Sequence, residues 1–304
     1  MIPIVLSLSL FGLNLKLVER SAITDGQFQS SLAGNYVYQI AYTTDGIGET
    51  PIRSFSLFDR EYRPLTTLER PGVEMFFVSD AGWFVGALNA GANVKLIFYD
   101  RRGDIRAQTE TDAPANYAFS NSGTYFYVNN DLGVQAFDAE GRVAAQFAGG
   151  TWFKPSDDDR FMAAVSGDQV EVRAFGRKTP VAAFRLGSLL FRDLAFSPDG
   201  EYLAVAERSV ISLYSLSEPS LIGKQKLDTR TSLLSLAVDD QGRIYAAGEI
   251  ARQGFLSVIE NGRELTRCPI NYSNDRETIN GVKAGRATIQ VSTTFRRFRF
   301  EEEK

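Results

Sequence analysis

Apolar and polar residues alternate along this chain in short runs of roughly four to eight, the length and pattern of half-buried β-strands. Gly, Asp, Asn, Ser and Pro clusters stop each run. The stretch from 74 to 111 reads most clearly: strands over Glu74–Ser79, Trp83–Asn89, Val94–Asp100 and Ile105–Thr111, with turns at Asp80-Ala-Gly82 and Arg101–Asp104. The stretch from 193 to 227 repeats it, with strands over Asp193–Phe196, Tyr202–Ala206, Val210–Leu216 and Leu221–Leu227 around the turn Ser197-Pro-Asp-Gly200. Proline presets φ at the first corner of such a turn and glycine accepts a positive φ at the last.

Two combs of residues turn this pattern into a repeat. A turn glycine followed two residues later by an apolar residue occurs at Gly34/Tyr36, Gly82/Phe84, Gly123/Tyr125, Gly200/Tyr202, Gly242/Ile244 and Gly285/Ala287, with Asp159/Phe161 filling the one gap. The steps between these markers are 48, 41, 36, 41, 42 and 43 residues. A second comb marks the end of a later strand at Phe58, Tyr99, Phe137, Phe175, Tyr214, Ile259 and Phe300, in steps of 41, 38, 38, 39, 45 and 41. Two combs with equal numbers of teeth require a repeated supersecondary unit, and a period of roughly 40 to 50 residues is that of a four-stranded propeller blade. The expected fold is all-β, a seven-bladed β-propeller of four-stranded antiparallel blades.

The seventh copy supplies strands over Thr278–Val282, Arg286–Ser292 and Thr294–Phe300 and then ends, one strand short. Leu13–Arg20 is the β-like segment that no blade has claimed. Pairing it into the last blade closes the fold and leaves no open sheet edge between first and last units.

The segment Phe196-Ser-Pro-Asp-Gly200-Glu-Tyr-Leu-Ala-Val205 resembles the repeat signature of WD40-like and related bacterial β-propellers. Weaker versions stand at Ser79-Asp-Ala-Gly82, Ser120-Asn-Ser-Gly123 and Asp239-Asp-Gln-Gly242. No Trp-Asp pair closes a blade and no Gly-His opens one, so the resemblance is to the wider group and not to WD40 proteins proper. It implies a fold; activities within the group are diverse.

Length alone would allow two domains, but repeats add units around one core, so 13–304 is read as one propeller domain. Residues 1–12 read as a short signal peptide or an extra strand. An apolar core of h-region length favours export, periplasmic or secreted, with a cytoplasmic protein as the alternative, since no Lys or Arg precedes Lys16. The run is too short to span a membrane.

Composition narrows the chemistry. Thirty-three basic against 37 acidic residues give a net charge of −4, which implies no broad cationic face for nucleic acid. Cys268 is the single cysteine, so no intrachain disulfide forms. Histidine is absent, which removes the Ser-His-Asp triad and His-based metal sites.

Acidic clusters at Ser156-Asp-Asp-Asp159, Asp239-Asp240 and Asp138-Ala-Glu140 have the chemistry of calcium ligands but stand at turns and lack D-x-D-x-D-G spacing, so they are read as turn formers. The pairs Arg101-Arg102 and Arg296-Arg297, the latter near Arg299 and three phenylalanines, have the composition of a nucleic-acid surface. Alternation instead puts Arg297 and Arg299 on one side of a half-buried strand and Phe298 and Phe300 on the other. Asp45-Gly-Ile-Gly48 opens no helix and carries no Gly-Lys-Ser/Thr ending, so it is an enlarged loop.

In an up-and-down blade, loops joining strands one to two and three to four share a first face; loops joining two to three, and blade to blade, share a second. The irregular insertions fall mostly on the second face, and variable loops on a rigid scaffold carry binding. Asp45, Glu49, Asn89, Asn93, Asn129, Asp131, Asp275 and Arg276 are the expected contact residues. No cofactor, metal ligand or catalytic residue is assigned. The expected function is a non-catalytic scaffold binding another protein, a monomer by default, with no nucleic-acid partner and no membrane span. The alternatives are an extracytoplasmic sugar- or peptide-binding propeller and a calcium-dependent lactonase- or hydrolase-like enzyme.

Overall fold

The computed structural model describes residues 15–22, 29–31, 34–42, 52–69, 71–114, 116–130, 133–147, 150–177, 179–187, 190–228, 230–273, 277–284, 288–294 and 296–302. Residues 1–12 and the Gly285/Ala287 marker lie outside them. The described residues form no helix and seven four-stranded antiparallel sheets. Six of these blades are sequential, spanning 29–69, 75–112, 116–147, 152–185, 191–226 and 232–270. In blade 2 the strands are Met75–Val78, Phe84–Ala90, Asn93–Tyr99 and Ile105–Asp112, within two residues of the sequence expectation at every boundary.

The seventh blade is completed as expected. Its strands Ile279–Ala284, Thr288–Thr293 and Arg296–Glu302 are joined by Leu15–Ala22, which runs antiparallel to the last from Leu15↔Glu302 to Ala22↔Arg296. An edge that would present unpaired backbone groups is thereby covered.

The chain divides into two compact units. Blades 1–3 and the first two strands of blade 4 belong to the unit of 25–167 and 172–180, and blades 5–7 belong to the other. Within each unit the core lies between adjacent blades, because both faces of a middle strand are buried. Phe55 and Leu57 of blade 1 meet Phe76 and Phe84 of blade 2; Val85 and Phe98 of blade 2 meet Phe126 and Phe137 of blade 3. In the other unit, Leu256 and Val258 of blade 6 pack on Ile289 and Val291 of blade 7. Each such side chain contributes about 1.5–3 kcal/mol on burial.

The first sequence comb is a hydrogen-bonded turn. The N–H of Gly34, Gly82, Gly123, Asp159, Gly200 and Gly242 donates to the carbonyl three residues back, on Ser31, Ser79, Ser120, Ser156, Ser197 and Asp239, over 2.9–3.1 Å. All six donors have φ between 59° and 91°. Asp159 therefore occupies a left-handed position that glycine takes elsewhere, as short polar side chains tolerate. The buried serines at the head of the turn accept a further backbone bond, from Tyr36, Tyr125, Phe161 and Tyr202. The acidic run at 156–159 is thus a turn, as read.

The second comb marks a β-bulge. Pairing between third and fourth strands slips by one residue immediately before Phe58, Tyr99, Phe137, Tyr214 and Ile259. The extra residue raises local twist where the strand leaves the sheet.

Turns also tie neighbouring blades together. Ser31 donates to Asp80, Ser79 Oγ to Gly123 O at 2.7 Å, Trp83 Nε1 to the same carbonyl at 2.8 Å, and Ser122 to Asp159. In the other unit Asp193, buried at the start of blade 5, accepts the Leu236 N–H of blade 6 at 2.8 Å.

Desolvation holds the Asp159 carboxyl above its ordinary value, in spite of hydrogen bonds from Ser122, Ser120 and Tyr127 that favour its charged form. A carboxyl with a raised folded value favours folding below its unfolded value of 3.8 and loses that contribution as pH rises through the folded one. Asp159→Asn keeps the left-handed turn and an acceptor without the charge. It is expected to raise the thermal midpoint at pH 7 and to match the parent near pH 3; a variant less stable than the parent at pH 7 contradicts this reading.

Candidate functional site

The turns between third and fourth strands build the first-face rim. Asp59, Asp100 and Asp138 end the third strand in blades 1–3, and each carboxylate accepts the backbone N–H groups two and four residues on, over 2.8–3.1 Å. A guanidinium completes each cap: Arg63 on Asp59 at 2.6 Å, Arg106 on Asp100 at 3.0 Å and Arg142 on Asp138 at 2.8 Å. Partial desolvation pushes these carboxyls up, but the backbone donors and guanidinium outweigh it and hold all three below the ordinary value. Asp138-Ala-Glu140 is thus a capped turn. Among the described residues no group of three or more His, Cys, Asp or Glu is arranged to hold a metal ion.

The fourth residue of this turn has a left-handed backbone: Tyr62 at φ 61°, Gly103 at 86° and Gly141 at 68°. In blades 2 and 3 glycine is needed twice over, because the turn lies on the outer strand of the preceding blade. A Cβ on Gly103 would stand 2.7 Å from Thr66 Oγ1, and one on Gly141 2.8 Å from Ala107 Cβ. Thr66 also donates to Arg102 O at 2.8 Å. Blade 1 carries Tyr62 there, a bulky side chain in a conformation it rarely adopts.

This packing leaves a groove of about 520 Å³ on the first face of blades 2 and 3, lined by Ala81, Gly82, Trp83, Ala139, the carboxylates of Asp100 and Glu140, and the guanidinium groups of Arg101, Arg102 and Arg106. Arg106 is held by Asp100, and Glu140 by Arg142 at 3.3 Å. Arg101 and Arg102 are exposed, and neither guanidinium has a hydrogen-bond or ion-pair partner among the described residues. Exposed apolar side chains follow these turns on the fourth strands. Ile105 and Val143 hold the same register position, opposite Tyr99 and Phe137, and are 54% and 51% exposed. In the other unit Leu221 holds that position opposite Tyr214.

Of the residues expected to make contacts, the described ones, Asn89, Asn93 and Asn129, are not part of this groove's lining. Asn89 is exposed at the end of its strand and donates to Glu74; Asn93 pairs across the hairpin with Ala90. Asn129 is 1% exposed and turns inward, its amide donating to Gly150 O at 2.9 Å. Asp45, Glu49, Asp131, Asp275 and Arg276 lie outside the described residues. The second face of blades 6 and 7 instead holds a buried ion pair, Glu277 with Arg296. Arg296 Nε donates to Glu277 Oε1 at 2.7 Å and Nη2 to Asn271 O at 2.6 Å, while Thr293 and Ser273 hydroxyls donate to the same carboxylate. Alternation puts Arg297 and Arg299 outward and Phe298 and Phe300 inward, which the structure repeats, and Arg296, in step with the two phenylalanines, is buried with them.

No family model matches the sequence, and no curated protein matches it. Solved structures do. Hsv2 from Kluyvelomyces marxianus aligns at a TM-score of 0.61 and 9% identity, over 91% of this chain and 97% of its own. A KlHsv2 variant with loop 6CD replaced by a Gly-Ser linker aligns at 0.60 and 10%, over 90% of each chain. The C-terminal WD40 domain of Sif2 aligns at 0.60 and 11%, over 95% of this chain and 82% of its own. At these identities the likeness is one of fold, and the fold is a WD40-like, seven-bladed β-propeller.

Arg296→Met strands a buried carboxylate and is expected to cost about 3–5 kcal/mol in urea unfolding, much of it recovered by adding Glu277→Gln. A loss below about 1 kcal/mol for the single variant contradicts the buried pairing.

Proposed function

We propose that this chain is a non-catalytic scaffold that binds another protein through the first-face rim of blades 1–3. One observation carries the reading: apolar side chains stand exposed at matching places of successive blades. Ile105 and Val143 share a register, and Tyr62, 54% exposed, sits in the equivalent turn of blade 1. Exposed apolar side chains gathered on a rigid rim mark interaction sites. The strained backbone at Tyr62 supports the same reading. A left-handed conformation costs an ordinary residue about 1–2 kcal/mol, and such a cost persists where the side chain is wanted for function. The capped turns and the blade-to-blade hydrogen bonds hold the rim in place, which lowers the ordering cost of association.

Two measurements test this. A photo-crosslinking amino acid at 105 or 143, in cells that make the protein, is expected to trap one discrete partner that a probe at exposed Arg297 does not. Equal, diffuse labelling from all three positions contradicts the proposal. Tyr62→Gly is expected to leave stability unchanged or raise it by up to about 1 kcal/mol while reducing that cross-link. A loss of more than about 1 kcal/mol would make the tyrosine structural.

A further inference from the structure

The groove beside that rim has a charge pattern that specifies its occupant. Resting on the scaffold reading, we infer that the groove between the turns of blades 2 and 3 binds an acidic, extended peptide segment of the partner, with Arg101 and Arg102 as the residues that grip its carboxylates.

The argument starts from the three homologous turns. In blades 1 and 3 the arginine four residues after the capping aspartate, Arg63 or Arg142, folds back onto that aspartate. In blade 2 that place is taken by Asp104, and the cap is supplied from further along by Arg106. Arg101 and Arg102 are therefore surplus to the turn. Their backbone is fixed, by the bond from Arg102 N–H to Asp100 at 2.8 Å and by Thr66 on the Arg102 carbonyl, while their guanidinium groups stay unengaged at the groove. The groove's lining carries three guanidinium groups against two carboxylates, of which Asp100 is held by Arg106 and Glu140 shares Arg142 with Asp138, so the lining is net positive.

Guanidinium groups bind carboxylates through paired, charge-assisted hydrogen bonds. The small residues Ala81, Gly82 and Ala139 in the lining leave room for a peptide backbone. A phosphate chain fits poorly: its charges recur about every 3.4 Å along a strand, and it would meet Asp100 and Glu140 on the groove walls. A peptide sets acidic residues among neutral ones and avoids them.

The test uses the full chain and fluorescein-labelled octapeptides of alternating Glu and Ala, with a Gln-Ala peptide of equal length as control, read by fluorescence anisotropy. The Glu peptide is expected to bind at least about tenfold tighter than the Gln peptide and to weaken with added salt. Arg101→Gln/Arg102→Gln is expected to lose at least about tenfold, while Arg297→Gln, which removes an exposed charge elsewhere, leaves binding unchanged. Thermal midpoints of both variants are expected to match the parent, since the side chains removed are exposed. Equal binding of the two peptides, binding indifferent to the double variant, or a preference for vesicles of anionic phospholipid or for single-stranded DNA over the Glu peptide overturns the inference. Should the peptide fail while the cross-link from position 105 or 143 persists, the groove assignment alone falls; should both fail, the scaffold reading falls with it.

Discussion

Close approach between a turn of one blade and the backbone of its neighbour is the constraint on which the rest of this structure depends. A Cβ on Gly123 would lie 2.5 Å from Ser79 Oγ and 2.8 Å from the Ala81 nitrogen; Gly262 is similarly confined by Lys224. At Gly123 such distances leave no room for a side chain, at Gly262 the nearest approach of 3.1 Å is tight, and the positive φ at both positions independently favours glycine. The same closeness lets Gly123 O accept from both Ser79 and Trp83. Sequence, turn conformation and blade-to-blade contact coincide at Gly82 and Gly123, whereas at the matching place a Cβ on Gly34 would meet nothing within 4 Å and Asp159 carries a side chain.

That closeness also shapes the surface. A turn wedged over the preceding blade cannot move, so the side chains at its tip project from a fixed backbone. Where the turn's own carboxylate takes up the nearby arginine, as with Asp138 and Arg142, the tip is electrically quiet. In blade 2 it does not, and two cations remain. Two positions set the turn of blade 2 apart: Arg102 where the other two blades have Glu61 and Glu140, and Asp104 where they have Arg63 and Arg142.

Much of the architecture was legible because its signals are local and repeat. Turn glycine and bulge aromatic recur at fixed offsets, and even the missing glycine at 159 was recognisable by spacing. The pairing of Leu15–Ala22 with the last strand followed from counting strands. The surface was less legible, for definable reasons. Loop irregularity pointed to the second face, where Asn129 proves to be spent on Gly150 inside the fold. Arg296 looked like one of several surface arginines by its charge, although alternation sets it in step with the buried Phe298 and Phe300; its partner Glu277 is 19 residues away in sequence and could not be read from the strand. Arg101 and Arg102 were visible as a pair, but reading them as unengaged needed the turns of blades 1–3 set side by side, which shows that the nearby carboxylates of Asp100 and Glu140 are taken by Arg106 and Arg142. Tyr62 was findable in the same way, as the residue standing where Gly103 and Gly141 stand.

Two glycines allow the central constraint to be measured cleanly. Gly91 and Gly123 share a φ of 75°, but a Cβ on Gly91 meets nothing within 4 Å. Alanine at 91 therefore reports conformational strain alone, about 1–2 kcal/mol, whereas alanine at 123 adds the collision with blade 2. Urea unfolding of the two variants is expected to show Gly123→Ala less stable than Gly91→Ala by about 2 kcal/mol or more. Equal losses would mean that the turns are not wedged against their neighbours, and the account of both fold and surface would be contradicted.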